Sequence, residues 1–356
     1  MSPETNKTGR KIRVLIVEDS IYMQYVISQI LEEDGTFEVV GKARDGVDAL
    51  EKIVRLNPDV ITLDIQMPRM DGLEFLRENR RTHRVPCVVI SSLTTEGAVE
   101  TIRALELGAV DFIPKPSGIE SLTLEQIRKE IIEKVKIAAE LGRRKLAEKP
   151  AREIPAAALG KKKTPIKHKP IVKKAIAIGC STGGPRALTE IIPALPSDLP
   201  AAIFVVQHMP PKFTRGLADR LDNLSAIHVV EAAHLQRIEG GTVYIAPGDY
   251  HMLAHRNGHI TLNQDPPLLG VRPSIDLLMK SVADVFKTKA LGILLTGMGS
   301  DGAAGLFAIR EARGISIAED ESTAVVYGMP KVAKERGCTD KILPLDKIVP
   351  EILAQV

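Results

Sequence analysis

Ala175-Ile176-Ala177-Ile178-Gly179-Cys180-Ser181-Thr182-Gly183-Gly184-Pro185 decides how the second half of this chain folds. Its apolar run is long enough for one buried strand. Residues 186–192 read as a helix, with Pro185 pre-set in its first turn. Between them lies a sharp turn of small and hydroxylated residues. Such a turn lets a substrate approach the backbone, and the N–H groups of a helix start can hold a negative oxygen. The same residues also fit a plain glycine-rich turn whose Ser and Thr cap a helix. The stretch alone does not separate these readings.

Its surroundings favour the first. From Ile171 strand and helix patterns alternate to the end of the chain. Residues 201–206 read as a buried strand that delivers Gln207-His208-Met209. Residues 291–295 read as another, delivering Thr296-Gly297-Met298-Gly299-Ser300-Asp301-Gly302. A helix over 303–313 follows, ended by Gly314. Ser181, His208 and Asp301 therefore each sit just past an apolar strand. In a parallel sheet such loops share one edge. A hydroxyl nucleophile needs a base, and the base needs a carboxylate to fix its tautomer. The three residues supply those roles in that order.

Other chemistries fit parts of the pattern. Gly179-x-Ser181-x-Gly183 matches the nucleophile elbow of α/β-hydrolases, whose order Ser…Asp…His would draw on Asp249 with His255 or His259. Those residues lie in an apparent hairpin around Asn257-Gly258. His251, His255 and His259 recur every four residues, a spacing that suggests zinc. With no Cys or Glu at matching positions they read as surface histidines. Cys180 neighbours Ser181, but a turn that exposes one residue buries its predecessor.

Before this region lies a second alternating pattern, from residue 12 to about 140. Residues 13–17, 37–43, 60–63, 87–90 and 111–113 read as short buried strands with helical spacing between them. That is the signature of a doubly wound parallel α/β sheet. Glu18-Asp19 follow the first strand, Asp64 ends the third, Ser91 ends the fourth and Lys115 closes the fifth. Three carboxylates in one crevice repel each other and call for a divalent cation. Oxygen ligands favour Mg²⁺. A carboxylate beside a cation and a lysine is suited to accept a phosphoryl group.

Residues 12–118 resemble the receiver domain of two-component response regulators. Val17-Glu18-Asp19, Leu63-Asp64-Ile65-Gln66-Met67-Pro68-Arg69-Met70-Asp71-Gly72, Ser91-Ser92 and Lys115-Pro116 carry the likeness. It implies a flavodoxin-like fold in which Asp64 accepts phosphate. Glu18, Asp19, Asp64 and the backbone carbonyl of Gln66 would hold Mg²⁺. Ser91 and Phe112, with Lys115, fall where such domains keep their switch residues.

Residues 173–353 resemble the catalytic domain of the chemotaxis protein-glutamate methylesterases. Residues 178–185 and Gln207-His208-Met209 carry this likeness, with Ala246-Pro247-Gly248-Asp249 and Arg272-Pro273-Ser274-Ile275-Asp276. Residues 295–302 and Tyr327-Gly328-Met329-Pro330 complete it. The resemblance implies a doubly wound α/β domain with a mostly parallel sheet and a Ser181–His208–Asp301 triad. The N–H of Met298, with that of Thr182, would serve the oxyanion. It also implies methyl-accepting chemotaxis receptors as substrate, a chemotaxis histidine kinase as phosphodonor, and deamidation of receptor glutamines. No cofactor is implied for the esterase reaction. Two positions depart from the pattern. Cys180 stands where alanine is commoner, and Glu319 where glutamine is expected.

Composition agrees with this plan. At 356 residues, 44% of them hydrophobic, the chain has room for two packed cores. No apolar run approaches a membrane span, and the first residues lack a signal-peptide core, so a cytoplasmic protein without membrane insertion is expected. Three widely spaced cysteines argue against a disulfide framework. The net charge is +3, yet residues 161–174 alone hold seven lysines and no acid. No aromatic residue interleaves them, so the stacking part of a single-strand nucleic-acid site is missing. The division expected is a receiver over 12–120, a closing helix over 121–145, a Lys/Pro-rich linker over 146–172 and a catalytic domain over 173–356. Thr123-Leu124-Glu125-Gln126 has capping-box spacing for that helix.

Overall fold

The computed structural model describes residues 10–92, 94–115, 124–145 and 170–356. The linker lysines before Pro170 and the capping-box Thr123 lie outside the described residues. The chain divides into two compact units, Met1–Ala151 and Arg152–Val356.

Unit one alternates β1 (Ile12–Val17), α1 (Ile21–Asp34), β2 (Phe37–Ala43), α2 (Gly46–Leu56), β3 (Val60–Asp64) and α3 (Gly72–Thr82). Then come β4 (Cys87–Ser91), α4 (Thr95–Glu106), β5 (Asp111–Pro114) and α5 (Leu124–Lys145). The five strands are parallel in the order β2-β1-β3-β4-β5. Val14, Ile16, Val60, Val88 and Ile113 pack with Ile27 and Leu31 of α1 and with Ile127, Ile131 and Val135 of α5. The alternate residues Leu15, Ile61, Leu63 and Val89 are buried too. Both sheet faces are therefore covered, which is why the strands read as unbroken apolar runs. Polar caps end the pattern locally: Ser20 accepts from Met23 N–H, and Asp71 with Glu74 forms a capping box. The order reverses between β1 and β3, where a crevice opens at the strand ends.

Unit two carries a seven-stranded parallel sheet of order β14-β13-β12-β6-β7-β9-β8. Its strands are β6 (Lys174–Cys180), β7 (Ala201–Gln207), β8 (His228–Glu231), β9 (Thr242–Ile245), β12 (Ala290–Leu294), β13 (Ile315–Glu319) and β14 (Lys341–Leu343). Around it lie α6 (Gly184–Ile191), α7 (Phe213–Leu224), α8 (Ile275–Phe286), α9 (Ala303–Glu311), α10 (Met329–Glu335) and α11 (Leu345–Gln355). An antiparallel hairpin, β10 (His251–Ala254) with β11 (Ile260–Asn263), stands apart from the main sheet and turns at the expected Asn257-Gly258. Phe204 and Tyr244 stack in the core at 5.7 Å between ring centroids. They lie among Leu278 and Met279 of α8 and Leu306 and Ile309 of α9.

Boundaries differ from the sequence reading by a residue or two. β12 starts and ends one residue early. α9 stops at Glu311, because Arg313 already takes a left-handed φ of 60° ahead of Gly314. The chain builds β7, β8 and β9 on one side of β6, then returns to build β12, β13 and β14 on the other. The switch point lies between β6 and β12, and there Ser181 and Asp301 leave the sheet.

Candidate active site

Sheet register brings the candidate nucleophile and the candidate base together. Cys180 pairs with Gln207 across β6 and β7, so the next residues, Ser181 and His208, emerge side by side. His208 N–H donates to Cys180 C=O at 3.1 Å, the last rung of that ladder. On the other flank Leu294 pairs with Gly179, which aims residues 295–302 at the same edge.

Ser181 is held by its backbone. Its N–H donates to Thr296 C=O at 3.0 Å, and its C=O accepts from Gly184 N–H at 2.7 Å. Gly183 has φ of 81°, and a side chain there would strike Val325. Among the described residues the Ser181 hydroxyl has no hydrogen-bond partner; hydrogen bonds of this kind often form only with substrate in place. A Cβ at Gly297 would come 2.7 Å from Ser181 Cβ, so glycine there lets the β12 loop run against the nucleophile.

His208 Nε2 lies 2.8 Å from Asp301 Oδ2. That leaves Nδ1 as the ring nitrogen able to take a proton. Asp301 is buried and surrounded by donors. Oδ2 also accepts from Ile275 N–H at 2.7 Å, and Oδ1 accepts from Ser274 Oγ at 3.0 Å and Asp276 N–H at 2.9 Å. Burial favours the neutral acid, but the His208 contact and the amides of α8 outweigh it and hold the Asp301 carboxyl below its ordinary range. Asp276 in turn accepts from Gly302 N–H at 2.9 Å and Gly305 N–H at 2.7 Å. Burial, then the Asp301 charge, push its pKa up.

Beneath the loop, Glu319 ends β13 with 1% of its surface exposed. It accepts from Thr296 N–H at 2.8 Å, and burial raises its pKa to about 7. Thr296 is thus a hub, since its Oγ1 donates to Thr182 C=O at 2.8 Å and accepts from Val326 N–H at 2.8 Å. Met298 stands 42% exposed at the edge of the site, while Thr182 is buried. Both follow the site strands in sequence.

The alternatives part from this cluster. Cys180 is fully buried, and desolvation pushes its thiol far above its ordinary value, which keeps it from acting as a nucleophile. Asp249 is bonded to Arg272 and Gln264 rather than to a histidine. His255 is exposed and His259 half-buried, whereas His251 corrects the surface expectation. It is buried, with Nδ1 accepting from Ser274 N–H at 3.1 Å and Nε2 near Pro266 C=O at 3.3 Å. It supports the residue that supports Asp301. No group of metal-ligating residues includes these histidines among the described residues.

In unit one, Glu18, Asp19 and Asp64 bring ligand oxygens within 4.8 Å of one another. Lys115 Nζ lies 2.8 Å from Asp64 Oδ2 and 3.1 Å from Glu18 Oε2. One ammonium faces three carboxylates. Burial, then the Asp64 charge, raise the Glu18 pKa to about 7, against the lowering effect of Lys115. An all-oxygen set with surplus negative charge fits a hard divalent cation. Asp64 Oδ1 accepts from Ile65 N–H at 2.8 Å, which aims the carboxylate. Gln66, Ser91 and Lys115 line the same cleft, and the Gln66 side chain reaches Glu100 at 3.2 Å. Ser91 Oγ donates to Gly97 C=O at 3.3 Å. Phe112 is buried on β5, with Lys134 5.3 Å from its ring centroid.

Residues 176–352 match the family model for the CheB methylesterase, and residues 14–126 match that for the response regulator receiver domain. A protein-glutamate methylesterase/protein-glutamine glutaminase of Symbiobacterium thermophilum is 49% identical over 99% of both chains. A protein of the same description from Pyrococcus abyssi is 48% identical, over 98% of this chain and 95% of its own. The chain belongs to the CheB methylesterase family. The crystal structure of the Thermotoga maritima CheB methylesterase catalytic domain is 45% identical and covers 52% of this chain and all of its own, with a TM-score of 0.51. Unit two thus has the fold of the family's catalytic domain. Family membership also makes the chain a methylesterase-type hydrolase with a receiver domain in the same polypeptide.

Sequence reasoning passed over four residues of this site. Ser274, Asp276, Gln207 and Glu319 occur in quoted motifs or departures without a role. Each makes a hydrogen bond to a group at least 23 residues away, Ser274 to the Asp301 carboxylate and the others to backbone, and no local spacing signals that.

Proposed function

We propose that this protein hydrolyses glutamate γ-methyl esters on chemoreceptors, releases methanol, and deamidates receptor glutamines by the same acyl transfer. The observation that carries the reading is the 2.8 Å contact of His208 with buried Asp301, beside Ser181 at the switch point of the sheet. His208 takes the Ser181 proton at Nδ1 while Oγ attacks the ester carbonyl. Asp301 stabilises the resulting imidazolium. The N–H groups of Met298 and Thr182 receive the oxyanion. His208 returns the proton to the departing methoxide, and methanol leaves. Water then cleaves the acyl-enzyme with His208 again as base. Each turnover converts a neutral ester into a carboxylate.

Receiver phosphorylation controls this activity. Asp64 accepts phosphate from a chemotaxis histidine kinase, and Lys115 pairs with the charge that develops. Glu18, Asp19, Asp64 and the Gln66 carbonyl would hold Mg²⁺, which when bound neutralises charge on the transferred phosphoryl group. Ser91 and Phe112 shift in response and switch the esterase on. The working division is a receiver over 12–120, its closing helix to 145, a linker to 172 and the catalytic domain beyond, in a cytoplasmic protein. No helix among the described residues is long and apolar enough to cross a membrane.

The test is methanol release from methyl-labelled receptor membranes, with and without a small-molecule phosphodonor. Release that the donor stimulates and Ser181→Ala abolishes is expected. Full activity of Ser181→Ala would overturn the triad, and release only from small esters would overturn the receptor substrate.

A further inference from the structure

Gln207 ends β7 in register with Cys180, and only 2% of its surface is exposed. Its amide nitrogen donates two hydrogen bonds, to Ser181 C=O at 3.0 Å and to His208 C=O at 3.1 Å. Its amide oxygen accepts from the Cys180 thiol at 3.1 Å. Both amide protons and the oxygen are therefore engaged. The fold makes room for this group: a Cβ at Gly184 would overlap Gln207 Oε1 and the Cys180 side chain. A glycine at the first position of α6 is the condition for the amide to lie there.

The placement has a mechanical meaning. The ladder between β6 and β7 ends where His208 N–H meets Cys180 C=O. Beyond that rung the chains diverge, Ser181 into the turn before α6 and His208 into the loop before α7. The Gln207 amide spans the divergence and grips one carbonyl on each side. We infer that Gln207 is a positioning residue that sets Ser181 against His208 by clamping their main chains with a single amide. The inference rests on the Ser181–His208–Asp301 reading. Nucleophile and base must meet within a fraction of an ångström, and a misplacement of about 1 Å costs roughly 100-fold in rate. Without the amide the His208 carbonyl loses its donor, while the Ser181 carbonyl keeps Gly184 N–H at 2.7 Å, so the His208 side of the clamp is the one released.

Two near-isosteric variants of the full chain test this, with phosphodonor present and methanol release from methyl-labelled receptor as readout. Gln207→Met keeps the volume and removes every hydrogen bond. Its kcat is expected to fall about 10- to 100-fold with KM within about twofold of wild type. Gln207→Glu donates one of the two hydrogen bonds when its carboxyl is protonated and none when it is ionised. The titratable groups around it are the Cys180 thiol on β6, His208 next in the chain, and Glu319 on β13, whose charge acts on Cys180. The ratio of its kcat to that of wild type is expected to fall about tenfold or more as pH rises through the ionisation of the new carboxyl. The Gln207→Met ratio stays flat over the same range. Dividing by wild type removes every pH effect the two enzymes share, and a packing defect alone gives no such slope.

Folded variants with kcat within about twofold of wild type at every pH would overturn the clamp. If Gln207→Met does not fold, a flat Gln207→Glu ratio overturns it alone. Ser181→Ala separates the two levels of the argument. Full activity there sinks the triad reading itself. An inactive Ser181→Ala beside normal Gln207 variants sinks only the clamp.

Discussion

Asp301 and Asp276 cap each other's helices. Asp301 accepts the N–H groups of Ile275 and Asp276 at the start of α8, and Asp276 accepts those of Gly302 and Gly305 at the start of α9. Each carboxylate thus satisfies backbone donors that a helix start leaves open. The two carboxyls titrate in opposite directions, because only Asp301 has a histidine partner to offset burial. The carboxylate that orients His208 is therefore anchored in a rigid frame.

Asp301→Asn keeps the size of the side chain and removes its charge. An amide cannot stabilise the imidazolium and presents the wrong group to Nε2–H. kcat for methanol release is expected to fall by about 10³- to 10⁴-fold with little change in KM. Steady-state kinetics that keep kcat within tenfold of wild type would exclude Asp301 from the reaction.

Asp276→Ala leaves the N–H groups of Gly302 and Gly305 buried and unpaired. A loss of about 2–4 kcal/mol is expected for unit two in urea unfolding, with reduced activity because Asp301 shares the frame. Asp276→Asn retains an acceptor oxygen and should cost less. Equal losses for the two variants would argue against capping as the cause.

Glu319→Gln should change how stability depends on pH. The folded-state pKa is about 7 against an ordinary 4.5, so the folded protein holds this proton more tightly than the unfolded chain. The contribution is fully present below about pH 4.5, shrinks as pH rises, and is gone above about pH 7. The loss is on the order of 3 kcal/mol. Glutamine keeps the bond to Thr296 N–H and does not titrate. Urea unfolding at pH 5 and pH 8 should show a smaller difference for Glu319→Gln than for wild type. Equal differences would mean that the carboxyl does not titrate in this range.

Gly297→Ala places a methyl 2.7 Å from Ser181 Cβ. Its other near neighbour, the end of the Met329 side chain, can swing aside, but Ser181 is fixed by Thr296 and Gly184. A kcat at least about tenfold lower is expected, since the nucleophile must shift. Phosphorylation of unit one is the internal control and should not change. Wild-type kcat would mean that the loop yields instead of Ser181.

Asp64→Asn removes the proposed phosphoacceptor oxygen and leaves Lys115 paired with Glu18 alone. Stimulation of methanol release by a phosphodonor should disappear. Persistent stimulation would place control of the esterase elsewhere.

Much of this protein is local and therefore legible in sequence. Apolar runs such as Ala175 to Ile178 are strands buried on both faces, because helices cover both sides of a parallel sheet. Pro185 marks the start of α6 through a backbone preference that depends on a residue or two. Ser181, His208, Asp301 and the carboxylates at 18, 19 and 64 follow such strands, so alternation alone places them at sheet edges.

Tertiary structure decided which of those edges face each other, and what lies behind them. His208 and Asp301 are 93 residues apart, and strand order around β6 makes them neighbours. His251 looked like a surface residue in a hairpin, yet it is buried because the hairpin lays it against Ser274. Gln207, Asp276 and Glu319 carry no sequence mark, since their partners are backbone groups that exist as targets only once the chain has folded. Local propensity writes the strands and turns into the sequence; the hydrogen-bonded frame that holds Ser181 beside His208 arises from packing distant segments together.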